Sequence, residues 1–460
     1  MTNSAPPAKC QLSIVGHVVG RFVNYPRGEV RINHGVIVDV LPVPSEVPCD
    51  ERIDVDTAYV LPGAIDPHVH CLSDPREGIE AATRAAAAGG VTTILEMPFD
   101  KTGPVWTVER LEAKKEMVAS QAHVDVGLFA TVRPGGGIDQ VAALAKAGAV
   151  TFKLSTYHTD ADRFPRTPDN EMIEVFRAIA ATGRRVCVHA ENDEIVRSLV
   201  AHLHDRGDED PRLHCAARPP VTETAAVANA LELARTADAK VHFVHMSLPH
   251  SIELVRSYAR GGSDVSAEAC PQYLLFTEDD MLTFGARIKV NPPVRTPTDV
   301  AGMWALFRAD EIDTISSDHA PWPLSEKDNS NIFDNASGAP GVETVFPIIA
   351  SIALHEKGVG IESLVRAYCW RPAELFGIDH RKGDLAPGLD GDVVVFDPRI
   401  DWVVDETTMQ SNAGWSPFHG RQLRGKVTLT VSRGEIIYDG KQVNSLQGRG
   451  QLVTFHGDSS

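Results

Sequence analysis

The sequence predicts an α/β protein: a (β/α)8 barrel of the TIM type carrying a small β-sandwich built from both chain ends. Three observations lead there. Apolar, strand-like runs alternate with helical ones through the middle of the chain, and eight such strands can be counted. Short runs with a period near two occupy residues 10–60 and return at 390–440. Histidine, lysine and aspartate, all metal-compatible, stand at or near the ends of five of the eight central runs.

Taken in order, CQLSIVGHVV, EVRINHGVIVDVL and ERIDVDTAYVL are β-like runs separated by Gly and Pro, the pattern of a small antiparallel sheet. The central strands read AYVLPGAIDPHVH, VTTILEMPF, VDVGLFATV, AVTFKLSTY, RRVCVHAEN, AKVHFVHMS, DVSAEACPQYL and EIDTISSDHAP. Between them GIEAATRAAAAGG, VERLEAKKEMVASQ, DNEMIEVFRAIAATG and ETAAVANALELARTA carry helical spacing, several ending in Gly, a common helix stop. Buried strands alternating with helices make parallel βαβ units, and eight of them close a barrel. The runs DGDVVVFDP and KVTLTVSRGEIIYDG then complete the terminal sheet. The expected domains are 1–60 (first part of the β-sandwich), 61–375 (barrel) and 376–460 (second part and tail).

Composition narrows the function. With 460 residues, 43% hydrophobic and 23% charged, the chain has room for a large core. A formal net charge of -18 disfavours nucleic acid and anionic membrane surfaces as partners. Seven scattered cysteines without a CxxC pair point to reduced thiols and a cytoplasmic setting. The N-terminal stretch MTNSAPPAKCQLSIVG lacks the charged-then-apolar pattern of a signal peptide, and no apolar run reaches the ~18 residues of a membrane span.

The chemistry lies at the strand ends, where barrels of this type place their catalytic residues. His68 and His70 alternate on one strand and so share a face, a bidentate grip for a transition metal. Lys153 follows on strand four, His189 on strand five, His245 on strand six and Asp318 on strand eight. Each alone has an ordinary explanation: a core histidine, or for Asp318 a cap or turn residue. Lys153 is different, because an unpaired ammonium in an apolar strand carries a large desolvation cost. Reaction of the neutral amine with carbon dioxide would turn it into a carbamate able to bridge two cations. Six metal-compatible groups at matching strand ends together argue for one metal site.

The HxH, Lys, His, His, Asp pattern resembles the amidohydrolase superfamily. The likeness extends to LPGAIDPHVH, AAAAGGVTTILEMP, VCVHAEN, CPQYL, NPPVR, SSDHAP and SPFHGRQLRGKV, which span nearly the whole chain. It is closest to the cyclic-amide branch: hydantoinases, dihydropyrimidinases, allantoinases and dihydroorotases. The resemblance implies two divalent ions, zinc first, with manganese, cobalt or iron as alternatives. His68, His70, Asp318 and Lys153 as N6-carboxylysine would hold one; the same carboxylysine with His189 and His245 would hold the other. It further implies that a metal-bridging hydroxide attacks the amide carbonyl while Asp318 carries the proton to the leaving ring nitrogen. Tyr157 is then a donor to the developing oxyanion, although it stands one residue nearer the lysine than in hydantoinases and could equally pack. Asn291 is a candidate for holding the imide or for capping a turn, and the loop 335–343, with Gly341, for bringing backbone groups to the substrate.

Substrate markers divide. Leu72 stands where dihydroorotases carry a carboxylate-gripping arginine, which counts against that activity. Gln272 in CPQYL and the Glu96-Met97-Pro98 segment resemble hydantoinases, whereas NPPVR and SPFHGRQLRG look as much like allantoinases. The leading expectation is ring opening of a 5-substituted hydantoin, with allantoinase the alternative. A non-catalytic structural relative is disfavoured because every ligand position is filled, and a mononuclear deaminase because of Lys153. The resemblance also implies a small cyclic amide as partner and a homo-oligomer, a tetramer or dimer.

Overall fold

The computed structural model describes residues 10–458, so the reading of the first nine residues lies outside it. The terminal sheet collects β1 (Cys10–Val19), β2 (Asn24–Asn33), β3 (Val36–Leu41), β4 (Cys49–Pro62), β13 (Val393–Val403), β14 (Gln422–Ser432) and β15 (Glu435–Tyr438). Their order is β15-β14-β13-β4-β1-β2-β3. The sheet is mixed rather than antiparallel throughout: β1 and β4 run parallel, because β2 and β3 form a meander before the chain returns to β1's other side. One core, including Ile14, Val30, Ile32, Val60, Val393, Val395 and Val431, joins strands from both ends of the chain.

The same register brings Cys10 opposite Cys49, with Cα atoms 4.9 Å apart, and the two are bonded as a disulfide. The expectation of reduced thiols therefore holds for the five buried free cysteines, Cys71, Cys187, Cys215, Cys270 and Cys369, but not for this pair.

The barrel consists of β5 (Ala64–Val69), β6 (Val91–Glu96), β7 (Asp125–Ala130), β8 (Thr151–Ser155), β9 (Val186–His189), β10 (Val241–Phe243), β11 (Val265–Ala269) and β12 (Thr314–Ile315), in sequential order. Every residue of the eight is buried, as strands covered on both faces must be. All neighbouring pairs are parallel. A single Val69–His319 bridge closes the ring, with the His70 N–H donating to the His319 carbonyl at 2.8 Å. The run read as one strand at VLPGAI is two: β4 ends at Pro62, and β5 begins after Gly63, where a Cβ would collide with Thr92.

Helix starts are written into the chain. Thr107, Asn192 and Thr296 cap the helices Val108–Gln121, Asp193–His204 and Pro297–Arg308 with their side chains, the last through a capping box with Asp299. Pro220, Pro249 and Pro297 stand in the first turns of theirs. Asn192 caps its helix only three residues after His189, so the turn that starts the helix also fixes the end of β9. After β15 the chain crosses back to the N-terminal end of β7, where Val126 bonds to Gln451 and Val453. Among the described residues no helix is long and apolar enough to cross a membrane.

Candidate metal centre at the barrel mouth

All six sequence-predicted ligands converge at the C-terminal ends of the barrel strands. His68 Nε2 lies 3.2 Å from Asp318 Oδ1, and His70 Nε2 lies 3.5 Å from the same oxygen. Lys153 Nζ is 3.4 Å from His68 Nε2. His189 Nδ1 and His245 Nε2 face each other at 2.9 Å. The His68 and His245 rings, 5.4 Å apart, join the two halves into one cluster. His245 and Asp318 sit just past their strands with φ of 43° and 48°. Left-handed backbone is unusual for such residues and concentrates where function holds it.

Carboxylates behind the histidines decide which ring nitrogen faces inward. His68 Nδ1 pairs with Glu268 Oε1 at 2.8 Å, and the His245 backbone N–H donates to the same oxygen at 3.1 Å. His189 Nε2 pairs with Glu191 Oε2 at 2.8 Å. With their outer nitrogens anchored on these carboxylates, the rings turn His68 Nε2 toward an Asp318 oxygen and His189 Nδ1 toward His245.

Electrostatics agree. Burial draws His70 down to about 4 and lowers His189 and His245 as well, so these imidazoles are neutral at pH 7. Burial pushes Asp318 up, but His68, His70 and Lys153 outweigh it and hold the carboxyl below its ordinary value. Lys153, 1% exposed, is drawn down to about 8 by burial. A set of four imidazoles, a carboxylate and a lysine, with lone pairs converging at 2.9–3.5 Å, fits divalent cations of the zinc type.

The cluster forms the floor of a cavity of about 380 Å³. Tyr157 lines it, and its hydroxyl oxygen accepts from Arg218 Nη2 at 3.2 Å. Asn291 lines it with a buried Oδ1 that has no hydrogen-bond partner. Gly341 does not reach it: its N–H donates to His319 Nδ1 at 3.0 Å, and the loop lines the cavity through residues 335–338 instead. Phe99 and Phe164, with ring centroids 3.6 Å apart, and Trp322 supply an aromatic wall.

Sequence reasoning missed Glu268, Glu191, Arg218 and Lys289. Glu268 carried a usable signal, since it is a charged residue inside an apolar strand run, as Lys153 is. Arg218 and Lys289 lie in connections with no periodicity to mark them. A second cluster, Asp125, Asp390 and Asp392, also has carboxylates close enough to share a cation. The ammonium of Lys382 already sits against all three, at 2.6–2.8 Å.

Comparison with known proteins agrees with this geometry. The model of the amidohydrolase family matches residues 59–437. An L-hydantoinase from Paenarthrobacter aurescens is 33% identical over 432 residues, 93% of this chain and 94% of that one. An allantoinase from Deinococcus radiodurans is 32% identical over 438 residues, 94% and 97% of the two chains. The solved L-hydantoinase (dihydropyrimidinase) of Arthrobacter aurescens superposes with a TM-score of 0.94 at 31% identity, covering 97% of this chain and all of that one. A solved D-hydantoinase gives 0.90 at 27% identity, covering 98% of this chain. On the fold, the strand-end ligands and these matches together, the chain belongs to the amidohydrolase family.

Proposed function

We propose that this protein is a binuclear metal-dependent hydrolase that opens the ring of a cyclic amide, with 5-substituted hydantoins as the leading substrate class. The observation that carries the reading is the pair of converging donor sets, His68–His70–Asp318 and His189–His245, on either side of Lys153. Cations held there, zinc first among them, supply Lewis acidity that lowers the pKa of water and polarises a carbonyl.

The side chains do the rest. Lys153 completes both donor sets as N6-carboxylysine. Support comes from its burial, its lowered basicity and, among the described residues, the lack of an ion-pairing carboxylate at Nζ, so that free amine is accessible to carbon dioxide near neutral pH. Asp318 accepts the proton of the attacking water and hands it to the leaving ring nitrogen. Tyr157 donates its O–H to the carbonyl oxygen as charge develops there. Asn291 Oδ1, buried and unpartnered, accepts an N–H of the ring. Backbone groups of residues 337–338 flank the bound ring in place of Gly341.

The aromatic wall of Phe99, Phe164 and Trp322 favours an apolar substituent at ring position 5. Allantoin, which carries a polar ureido group there, is the second reading, supported by the 32% identity to an allantoinase. By resemblance the protein works as a homo-oligomer, and its five buried free cysteines suit a cytoplasmic setting.

Plasma mass spectrometry on purified protein tests the centre, and a panel of hydantoin, D- and L-5-benzylhydantoin, dihydrouracil, allantoin and dihydroorotate tests the substrate. About two ions per chain and fastest opening of a 5-substituted hydantoin are expected. Less than one ion per chain, with no ring opened after zinc or manganese plus bicarbonate, overturns the proposal. Preference for allantoin replaces the substrate assignment only.

A further inference from the structure

The connection between β9 and the helix Pro220–Ala237 carries Arg218, a buried arginine that touches two parts of the site at once. Its backbone is pinned on both sides: the N–H donates to the Cys215 carbonyl at 3.0 Å, and the carbonyl accepts from Arg295 Nη1. Its side chain is 5% exposed. Nη1 donates to both carboxylate oxygens of Glu191, at 2.8 and 2.7 Å. Nη2 donates to the Tyr157 hydroxyl oxygen at 3.2 Å, and the guanidinium carbon lies 4.8 Å from the centre of that ring. Glu191 in turn holds His189 Nε2.

A phenol has one proton to give and lone pairs to receive with. A guanidinium has no acceptor to offer, so toward Arg218 the phenol oxygen can only accept. By filling that acceptor site Arg218 leaves the O–H free for the cavity that Tyr157 lines.

We propose that Arg218 is a positioning residue for ring opening: it sets the Tyr157 hydroxyl as a donor toward substrate and locks Glu191 behind His189. The proposal rests on the cyclic-amide reading above.

A double-mutant cycle tests it, with metal content and melting temperature followed in each variant. Tyr157→Phe is expected to lower kcat by about 10²–10³-fold, the loss typical of one oxyanion donor. Arg218→Lys keeps the charge beside Glu191 but cannot span to the phenol. It should lower kcat about tenfold with KM and metal content unchanged, a loss of the size seen when orienting partners are altered. In the Tyr157→Phe background the same substitution should cost nothing further. In metal-free protein labelled with [ζ-13C]tyrosine, the resonance absent from Tyr157→Phe should move in Arg218→Lys.

An undiminished tenfold loss in the double variant, or an unmoved resonance, overturns the proposal and leaves Arg218 a structural counter-ion. If Arg218→Lys loses metal or folds poorly, Arg218→Ala with added guanidinium carries the test. Restoration of kcat in the Tyr157 protein but not in Tyr157→Phe supports the role, whereas equal rescue in both, or none, overturns it. A wild-type enzyme that opens no ring at all sinks the underlying reading instead, and this role with it.

Discussion

Two buried lysines occupy opposite ends of the barrel, and their surroundings differ completely. Lys382, 3% exposed, lies at the N-terminal end of β7 with its Nζ 2.6, 2.8 and 2.7 Å from Asp125, Asp390 and Asp392. Lys153, 1% exposed, lies on β8 with His68 Nε2 at 3.4 Å and, among the described residues, no carboxylate in ion-pair range. The first is a cross-link, tying the segment before β13 to the barrel. The second makes no ion pair among the described residues: Glu268 and Asp318 act on it without touching it, and burial outweighs them. Three acids close together are therefore a poor sign of a metal site when an ammonium already compensates them. Converging lone pairs beside an uncompensated lysine are a good one.

Two substitutions break this comparison from either side. Lys153→Ala should lose the metal pair and lower kcat/KM by at least about 10³-fold, since the several kcal/mol supplied by bound cations go with it. Its melting temperature without added metal should hold or rise, because a buried amine whose charged form burial disfavours has been removed. Lys382→Met should do the reverse. Asp125 and Asp390 keep Arg433 and Arg381, but Asp392 loses its cation; breaking a buried ion pair costs up to about 3–5 kcal/mol, read as a lower urea midpoint, with metal content and kcat unchanged. A metal-free Lys382→Met or an unfolded Lys153→Ala would abolish the distinction.

The sequence showed the centre better than its surroundings, for a physical reason. A histidine, lysine or aspartate at the end of an apolar strand run breaks a strong local pattern. That is how His68, His70, Lys153, His189, His245 and Asp318 stood out. Strand ends were harder to place. β10 stops at Phe243 and β12 spans only Thr314–Ile315, so His245 and Asp318 sit on left-handed turns beyond their strands. The break at Gly63 was hidden because apolar residues continue across it. Loop residues follow no period, so nothing in the sequence marks Arg218 or Lys289, and the loop expected to act through Gly341 lines the cavity through its neighbours at 335–338. The Cys10–Cys49 pair depends on the register of two parallel strands, which spacing along the chain does not encode.

Glu268 sharpens the comparison on the metal side. It orients His68 through Nδ1 and also receives the His245 N–H, so one carboxylate supports both donor sets. Glu268→Gln keeps the shape but weakens both contacts. Losing such a partner typically costs about 10–100-fold in metal affinity or activity. Chelator competition should show the weakening before kcat does at saturating zinc. Unchanged affinity would mean that strand geometry alone aims the rings.

Lys289 supplies the intermediate case and the smallest effect. It lines the cavity, 4% exposed, and its Nζ donates to the backbone carbonyls of Phe333 and Asn335 rather than to any carboxylate. Burial, helped by Arg218, draws it down to about 7, against 10.5 when unfolded. Between those values the unfolded chain binds a proton that the folded protein has released, so stability rises with pH across that window. Below pH 7 both states carry the charge and the cost of burying it is fully present. The slope from one such group approaches about 1.4 kcal/mol per pH unit. Lys289→Met removes the group, so urea unfolding at pH 7.5 and 9.5 should show a smaller gain in stability for the variant than for wild type. Equal slopes would mean that backbone carbonyls alone keep this lysine charged. Lys289 would then belong with the compensated Lys382, leaving Lys153 as the uncompensated case in the comparison.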